Sequence, residues 1–346
     1  LLLSFLPCRY RRLARNGQID FDDQIYLTVV LGIQVPQYDV VCVDEAQDLN
    51  KVNRAMIHRM LRPSSRLIAV GDPMQGIYRF RGADAHSMER IQEEFNCTPM
   101  PLSITYRCPK SHVKLAQTLV PTIEAAPWAE EGEVAALESY QAGDFSRDDM
   151  VICRRTAPLI ELAYQLIRAR VPCKVLGRDI GKGLITLIEK IQGQGRNRVE
   201  AISDLLDKVD DWTSRESARL LARGEDEKVQ SVMDKAMTLH TIVEGGPQIQ
   251  TVDDLKNEIA AIFESDDKVQ GILTLCTVHK AKGLEADRVW ILDWQDMPAR
   301  WAKKADDVQE ELNIKYVAAT RAKKSLFFIK AGTIKDRIAE SEQVVG

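Results

Sequence analysis

The chain has 346 residues, enough for two or three domains each with its own core. Its 45% hydrophobic and 28% charged residues and net charge of −4 describe a soluble globular protein without a membrane-length apolar run, and any polyanion site must be locally basic. Cys8, Cys42, Cys97, Cys108, Cys153, Cys173 and Cys276 show no C-x-x-C spacing, which argues against a disulfide framework or a zinc site and fits reduced thiols in a cytoplasm.

The sequence opens without Met on an apolar stretch, residues 1–6, whose basic residues Arg9, Arg11 and Arg12 follow it instead of preceding it. That order fails as a signal peptide and suggests a truncated start. Residues 40–43 (VVCV) end in carboxylates and residues 67–70 (LIAV) end in Gly71-Asp72; both predict short, fully buried parallel strands. Similar runs at 151–153, 173–176, 272–276, 289–292 and 326–329 predict further strands, with helices over 159–170 and 307–319. Strands alternating with helices give an α/β architecture with parallel sheets, in which ligands collect beyond the carboxyl ends of strands.

From Gln192 to Lys268 charged helical patterns replace the strand-like runs, and Thr251-Val252-Asp253-Asp254 reads as a helix start. This stretch is expected to be a small helical insertion. The segment 177–183 (GRDIGKG) imitates a phosphate-binding loop but is one residue short between its glycines and has Gly183 where a hydroxyl belongs. It predicts a strand-to-helix turn with Lys182 exposed. Locally basic candidates are Arg9 to Arg15, Arg79 with Arg81, and Arg321 to Lys324, each of which taken alone reads as a solvated face.

Asp44-Glu45-Ala46-Gln47-Asp48 follows a predicted strand directly. A strand-terminal Asp can hold Mg²⁺ through its waters, and an adjacent Glu can activate an attacking water; the plainer reading of the pair alone is a helix cap or solvated turn. The next strand leads into residues 71–84 (GDPMQGIYRFRGAD), a glycine-punctuated loop with an amide, two aromatics and two arginines, suited to sensing phosphate on one side and stacking bases on the other.

These two segments resemble the second and third motifs of the UvrD/Rep-type superfamily 1 DNA helicases. Four further matches fall in the family's order: residues 19–24 (IDFDDQ), 102–107 (LSITYR), 277–285 (TVHKAKGLE) and 316–322 (YVAATRA). Six ordered matches cover nearly the whole chain. The resemblance implies two RecA-like parallel-sheet domains with ATP bound between them: residues 1–100 as the C-terminal part of the first, residues 101–191 and 269–335 as the second, and 192–268 as the helical insertion.

By the same resemblance Asp44 is the Mg²⁺ ligand, Glu45 the catalytic base, and Gln75 a contact to the γ-phosphate and attacking water. Arg107 and Arg321 are the arginines that reach the γ-phosphate, where a planar, permanently charged guanidinium stabilises shifting phosphate charge. Tyr106 packs on the adenine, Glu285 hydrogen-bonds the ribose, and Gly283 permits close backbone approach. Tyr78 and Phe80 stack on bases, with Arg81 beside them; Phe80 stands where the family usually has Trp, so stacking area is smaller. Thr277 and His279 contact the strand backbone. Single-stranded DNA and single-strand/duplex junctions are the implied partners, 3′-to-5′ unwinding in repair, recombination or replication the implied activity, and the cytoplasm or nucleoid the implied location.

The family's phosphate-binding loop, G-x-x-x-x-G-K-[ST], does not occur in these 346 residues. The isolated chain is therefore expected to hydrolyse ATP poorly or not at all. Two rival readings are a non-catalytic DNA-binding or scaffold subunit, against which the retained Asp44, Glu45, Gln75, Arg107 and Arg321 argue, and the motor part of a helicase-nuclease, for which no added carboxylate cluster follows Arg321. RNA as the track stays open, since stacking and phosphate contacts discriminate poorly.

Overall fold

The structure, a computed structural model, describes residues 19, 21–79, 82–193, 195, 198–246, 248–263 and 271–332. The chain divides into two units, Leu1–Pro101 and Leu102–Gly346.

In the first unit, α1 (Phe21–Val30), β1 (Tyr38–Val43), α2 (Lys51–Met60), β2 (Leu61–Ala69) and α3 (Ser87–Glu94) follow in order. Asn50 starts α2: its side chain accepts from the Val52 and Asn53 amides, and Asn53 answers the Asn50 amide, so helix-end donors find partners. Arg54 on α2 is buried and meets Glu94 and Asp84, each at 3.1 Å, which ties α2 to α3 and to the turn before it. Strands β1 and β2 pair in parallel, with Val41 opposite Leu67 and Val43 opposite Ala69.

The expectation that these two strands are fully buried does not hold. Val41 is 7% exposed, but Val40 is 52% and Ile68 50% exposed. Alternate residues of a pleated strand point to opposite faces, and among the described residues this sheet has two strands with only one face covered. The run VVCV is apolar on both faces and so hides which face is packed.

The second unit contains β3 (Ile104–Thr105), α4 (Lys110–Ala116), β4 (Glu124–Ala125), β5 (Glu133–Ala136), β6 (Met150–Cys153), α5 (Ala157–Arg168), β7 (Cys173–Val175), α6 (Arg178–Gln192), α7 (Ile202–Leu221), α8 (Asp226–Gly245), α9 (Val252–Ile262), β8 (Leu273–Thr277), α10 (Val278–Ala281), β9 (Ala286–Leu292), α11 (Ala305–Ala319) and β10 (Ala322–Ile329). Six strands form one parallel sheet in the order β5-β10-β9-β6-β8-β7, while β3 and β4 make a separate parallel pair. Every residue of β6 and β8 is buried, as continuous apolar runs between two helical layers require. Each fully buried Leu or Ile in such a core contributes about 1.5–3 kcal/mol.

The predicted helical stretch is present as α7, α8 and α9, and Thr251 opens α9 with a reciprocal cap to Asp254. Leu205, Val209, Leu239, Ile242, Leu255 and Ile259 from these helices join the same core as Val151, Leu273 and Trp290 of the sheet. Asp234 on α8 accepts from the Thr156 and Ala157 amides, capping α5 from across the core. The turn at Gly177 leads straight into α6 and leaves Lys182 exposed, as the sequence predicts.

Candidate functional site

Pairing of β1 with β2 brings the acidic segment beside the glycine-punctuated loop. The Ala46 amide donates to the Val70 carbonyl at 3.0 Å, extending the sheet register past the strand ends. Asp44 and Glu45 are exposed there, and Asp44 Oδ1 accepts from the Glu45 amide at 2.8 Å. Glu45 has φ 50° and ψ 39°, a left-handed conformation that costs about 1–2 kcal/mol for a residue with a side chain. Strain of that kind persists where surrounding structure fixes it and is concentrated at functional sites.

The surrounding structure here is Gln47, which is buried. Its Nε2 donates to Glu45 Oε2 at 2.6 Å, and its Oε1 accepts from the Asp72 amide at 3.0 Å. Asp72 in turn accepts from Gln75 Nε2 at 2.9 Å and from the Met74 amide at 3.0 Å. Glu45, Gln47, Asp72 and Gln75 therefore form one connected string. Gly71 is needed for it, because a Cβ there would lie 2.5 Å from Gln47 Oε1. Sequence reasoning chose Glu45 and Gln75 but missed the amide that links them; the absent side chain at Gly71 was the available signal.

Beyond Gln75 the loop buries Ile77 completely, and Tyr78 is half-buried with its carbonyl accepting from the Ala83 amide at 3.3 Å. Phe80 and Arg81, expected to touch DNA, lie outside the described residues, as does the basic stretch 9–15.

In the second unit Tyr106 follows β3 and is 72% exposed. Next to it, Arg107 Nε donates to Glu285 Oε2 at 2.8 Å, and the Lys323 ammonium pairs with the other oxygen of Glu285. Lys323's hydrogen bond, assisted by Arg107, holds the Glu285 carboxyl below its ordinary value of 4.5 despite partial desolvation. Arg321 is 1% exposed; its Nε donates to the Val317 carbonyl at 2.9 Å and its Nη2 to Thr320 Oγ1 at 3.0 Å. Burial, and then the like charge of Arg107, pull Arg321 down from 12.5 to about 10, so it is still charged near neutral pH.

Of the basic residues from Arg321 to Lys324, Arg321 alone departs from the reading as a solvated face, while Lys323 and Lys324 are exposed. Arg321 is buried, Lys323 pairs with Glu285, and Lys324 pairs with Asp287 at 2.6 Å. Arg107, Glu285 and Arg321 meet in one cluster with Lys323, which sequence reasoning named only as part of a basic stretch, and Tyr106 directly precedes Arg107 in sequence. Two guanidinium groups held near one carboxylate form a site that favours an incoming anion.

Thr277 and His279 sit elsewhere. Glu285 and Arg321 immediately precede β9 and β10, whereas Thr277 ends β8, so the two groups occupy opposite ends of the parallel sheet. Thr277 is buried and caps α10 by accepting from the Lys280 amide at 3.4 Å; His279 on α10 is half-buried. Gly283, in the turn before β9, has φ +84°, and a Cβ there would meet nothing within 4 Å. Backbone conformation is thus what requires glycine at that position.

Comparison with known proteins matches two family models in chain order. The UvrD/REP helicase N-terminal domain matches residues 4–96, and the UvrD-like helicase C-terminal domain matches residues 185–333. The chain belongs to the UvrD/Rep-type helicases. Among relatives of this UvrD/Rep-type chain, a probable DNA helicase II homolog of Rickettsia felis is 21% identical across 94% of the chain and 67% of the relative. The ATP-dependent DNA helicase PcrA of Staphylococcus epidermidis is 24% identical across 93% of the chain, and that of Bacillus subtilis 29% identical across 39%. The chain spans 60% of the length of the Staphylococcus epidermidis protein and 20% of the Bacillus subtilis one is aligned. The parallel six-stranded sheet is that expected of a RecA-like helicase domain. Among the described residues of this UvrD/Rep-type chain no helix is long and apolar enough to cross a membrane, and the six described cysteines form no disulfide.

Proposed function

We propose that this chain carries the phosphate-handling and strand-gripping machinery of an ATP-driven DNA helicase that moves 3′ to 5′ along single-stranded DNA. The observation that carries the reading is the separation on one sheet of an anion-favouring cluster, Arg107, Arg321, Glu285 and Lys323, from the strand-end pair Thr277 and His279. A motor needs both a nucleotide site and a track site, joined by a rigid element so that one can bias the other.

An exposed strand-end carboxylate such as Asp44 suits Mg²⁺, which prefers one or two carboxylates and completes its shell with phosphate oxygens and water. Among the described residues no group of three His, Cys, Asp or Glu converges on one point. ATP supplies the phosphoryl group and Mg²⁺ neutralises its charge when bound.

Glu45, positioned by Gln47, would take a proton from the attacking water. Gln75, positioned by Asp72, would orient that water. Arg107 and Arg321 would stabilise charge on the phosphate oxygens, after Arg107 exchanges Glu285 for phosphate. Tyr106 would pack on the adenine and the released Glu285 would accept from the ribose. On the track side Tyr78, Phe80 and Arg81 would stack and neutralise, while Thr277 and His279 would hold the strand backbone without reading its sequence. Residues 1–100, 101–191 with 269–335, and 192–268 would serve as the first motor domain, the second, and its insertion.

The test is Mg²⁺-dependent ATP turnover and oligonucleotide binding by the 346-residue chain. The reading expects single-strand binding with little turnover, since the phosphate-binding loop G-x-x-x-x-G-K-[ST] is not in these residues. Vigorous turnover would contradict the need for that loop. No binding of nucleotide or of single strands would contradict the reading as a whole. Action in repair, recombination or replication, at junctions, in the cytoplasm or nucleoid, belongs to the same proposal.

A further inference from the structure

Trp128 lies in the turn that follows β4 and is 75% exposed, beside Tyr106 at 72%. Their ring centroids are 5.8 Å apart with planes tilted by 34°. The juxtaposition is built by the backbone: Thr105 pairs with Ala125 in parallel, and the Ala126 amide donates to the Thr105 carbonyl at 3.2 Å. Both rings therefore leave the carboxyl ends of neighbouring parallel strands, the position at which ligands collect in α/β sheets.

Two large rings held in water forgo the burial that normally repays an aromatic side chain. Next to Tyr106 in sequence is Arg107, whose Nε donates to Glu285, the carboxylate that also pairs with Lys323. Flat apolar surface beside a cationic cluster matches a molecule that is flat at one end and anionic at the other. We propose that Trp128 is a second aromatic contact, alongside Tyr106, for the base of the bound nucleotide; this rests on the nucleotide reading above and extends it to a residue outside all six motifs.

At 5.8 Å the rings touch each other and leave no slot between them for a base. The base therefore lies against the outer face of the pair. Recognition by area favours purines over pyrimidines without selecting one purine, because no hydrogen bond is involved.

The experiment measures equilibrium binding of ADP, inorganic tripolyphosphate and a labelled oligothymidylate to the 346-residue chain, for the natural sequence, W128A, W128F and Y106A. The expected result is about a 5- to 100-fold weaker ADP affinity for W128A, unchanged tripolyphosphate affinity, which reports an intact fold and phosphate site, and near-natural ADP affinity for W128F. Unchanged ADP affinity in W128A with a loss in Y106A would overturn the inference and leave the nucleotide reading standing. A loss of oligothymidylate affinity in W128A with ADP binding intact would overturn it by assigning the ring to the track. Failure of the natural chain to bind either ADP or tripolyphosphate would overturn the nucleotide reading, and the inference with it.

Discussion

Arg107 and Glu285, 178 positions apart in sequence, meet Nε to Oε2 at 2.8 Å. The group proposed to reach phosphate is thus held by the group proposed to receive ribose, and a nucleotide must exchange one partner for another. Glu285→Ala should change the unfolding free energy by no more than about 1 kcal/mol, because the pair is substantially exposed. It should weaken ADP binding more visibly through loss of the proposed ribose acceptor, while tripolyphosphate, which has no ribose and no longer competes with the carboxylate for Arg107, binds at least as well. Urea unfolding and ADP titration of the same variant check both statements; a large stability loss with normal ADP binding would make the pair purely structural.

The same pair carries a pH dependence. Lys323 and Arg107 hold Glu285 below its ordinary value of 4.5, so its stabilising contribution is fully present above 4.5 and is lost as pH falls through the lower folded value. Carbon-detected NMR titration of the Glu285 carboxyl should give a midpoint under 4.5, and the Lys323→Ala variant should move it upward. A midpoint at or above the ordinary value would contradict the ion cluster.

Gln47 joins Glu45 to Asp72 from a buried position, so Gln47→Ala should cost about 1–3 kcal/mol through the donors and acceptors left unpaired. Gly71→Ala should disturb the same string, since its Cβ would strike Gln47 Oε1. Gly283→Ala meets no neighbour and should cost only the backbone term of about 1 kcal/mol. Comparing the urea midpoints of these three variants checks the order.

Thiol accessibility offers a test of the packing. Cys42 is exposed, whereas burial pushes Cys153 up to about 12 and Cys173 up to about 11. Among the described cysteines, labelling at pH 8 with a thiolate-selective reagent should modify Cys42 first and leave Cys153 unmodified until the protein unfolds. Rapid modification of Cys153 under native conditions, identified by peptide mass spectrometry, would contradict the buried β6.

Much of the fold was legible because buried parallel strands are written as short apolar runs with few alternatives, as at β6 and β8. Burial of β1 and β2 was not legible: Val40 and Val41 look equally suited to a core, and which faces are covered depends on layers distant in sequence. Thr251 announced a helix start through its own local hydrogen-bond chemistry. That the helices beginning there share the sheet's core, through Leu205, Leu239 and Leu255, is a three-dimensional fact that the composition change at Gln192 conceals. Gln47 lies inside the acidic motif but was not chosen, and Lys323 and Trp128 lie outside all six motifs; each is tied to the candidate site through a partner on a different element. The burial of Arg321 was likewise hidden, because an arginine beside two lysines reads as surface.

Track contact is proposed at the end of the sheet where β8 finishes, opposite the end that carries Glu285. The most direct measurement is fluorescence anisotropy of a labelled single-stranded oligonucleotide with the 346-residue chain and its His279→Ala variant, with unfolding curves for both. The account predicts that the natural chain binds single strands with an affinity that falls as salt rises. It predicts also that His279→Ala weakens binding while the unfolding curve and ADP affinity stay unchanged. Absence of single-strand binding by the natural chain, or equal binding by the variant, would contradict it.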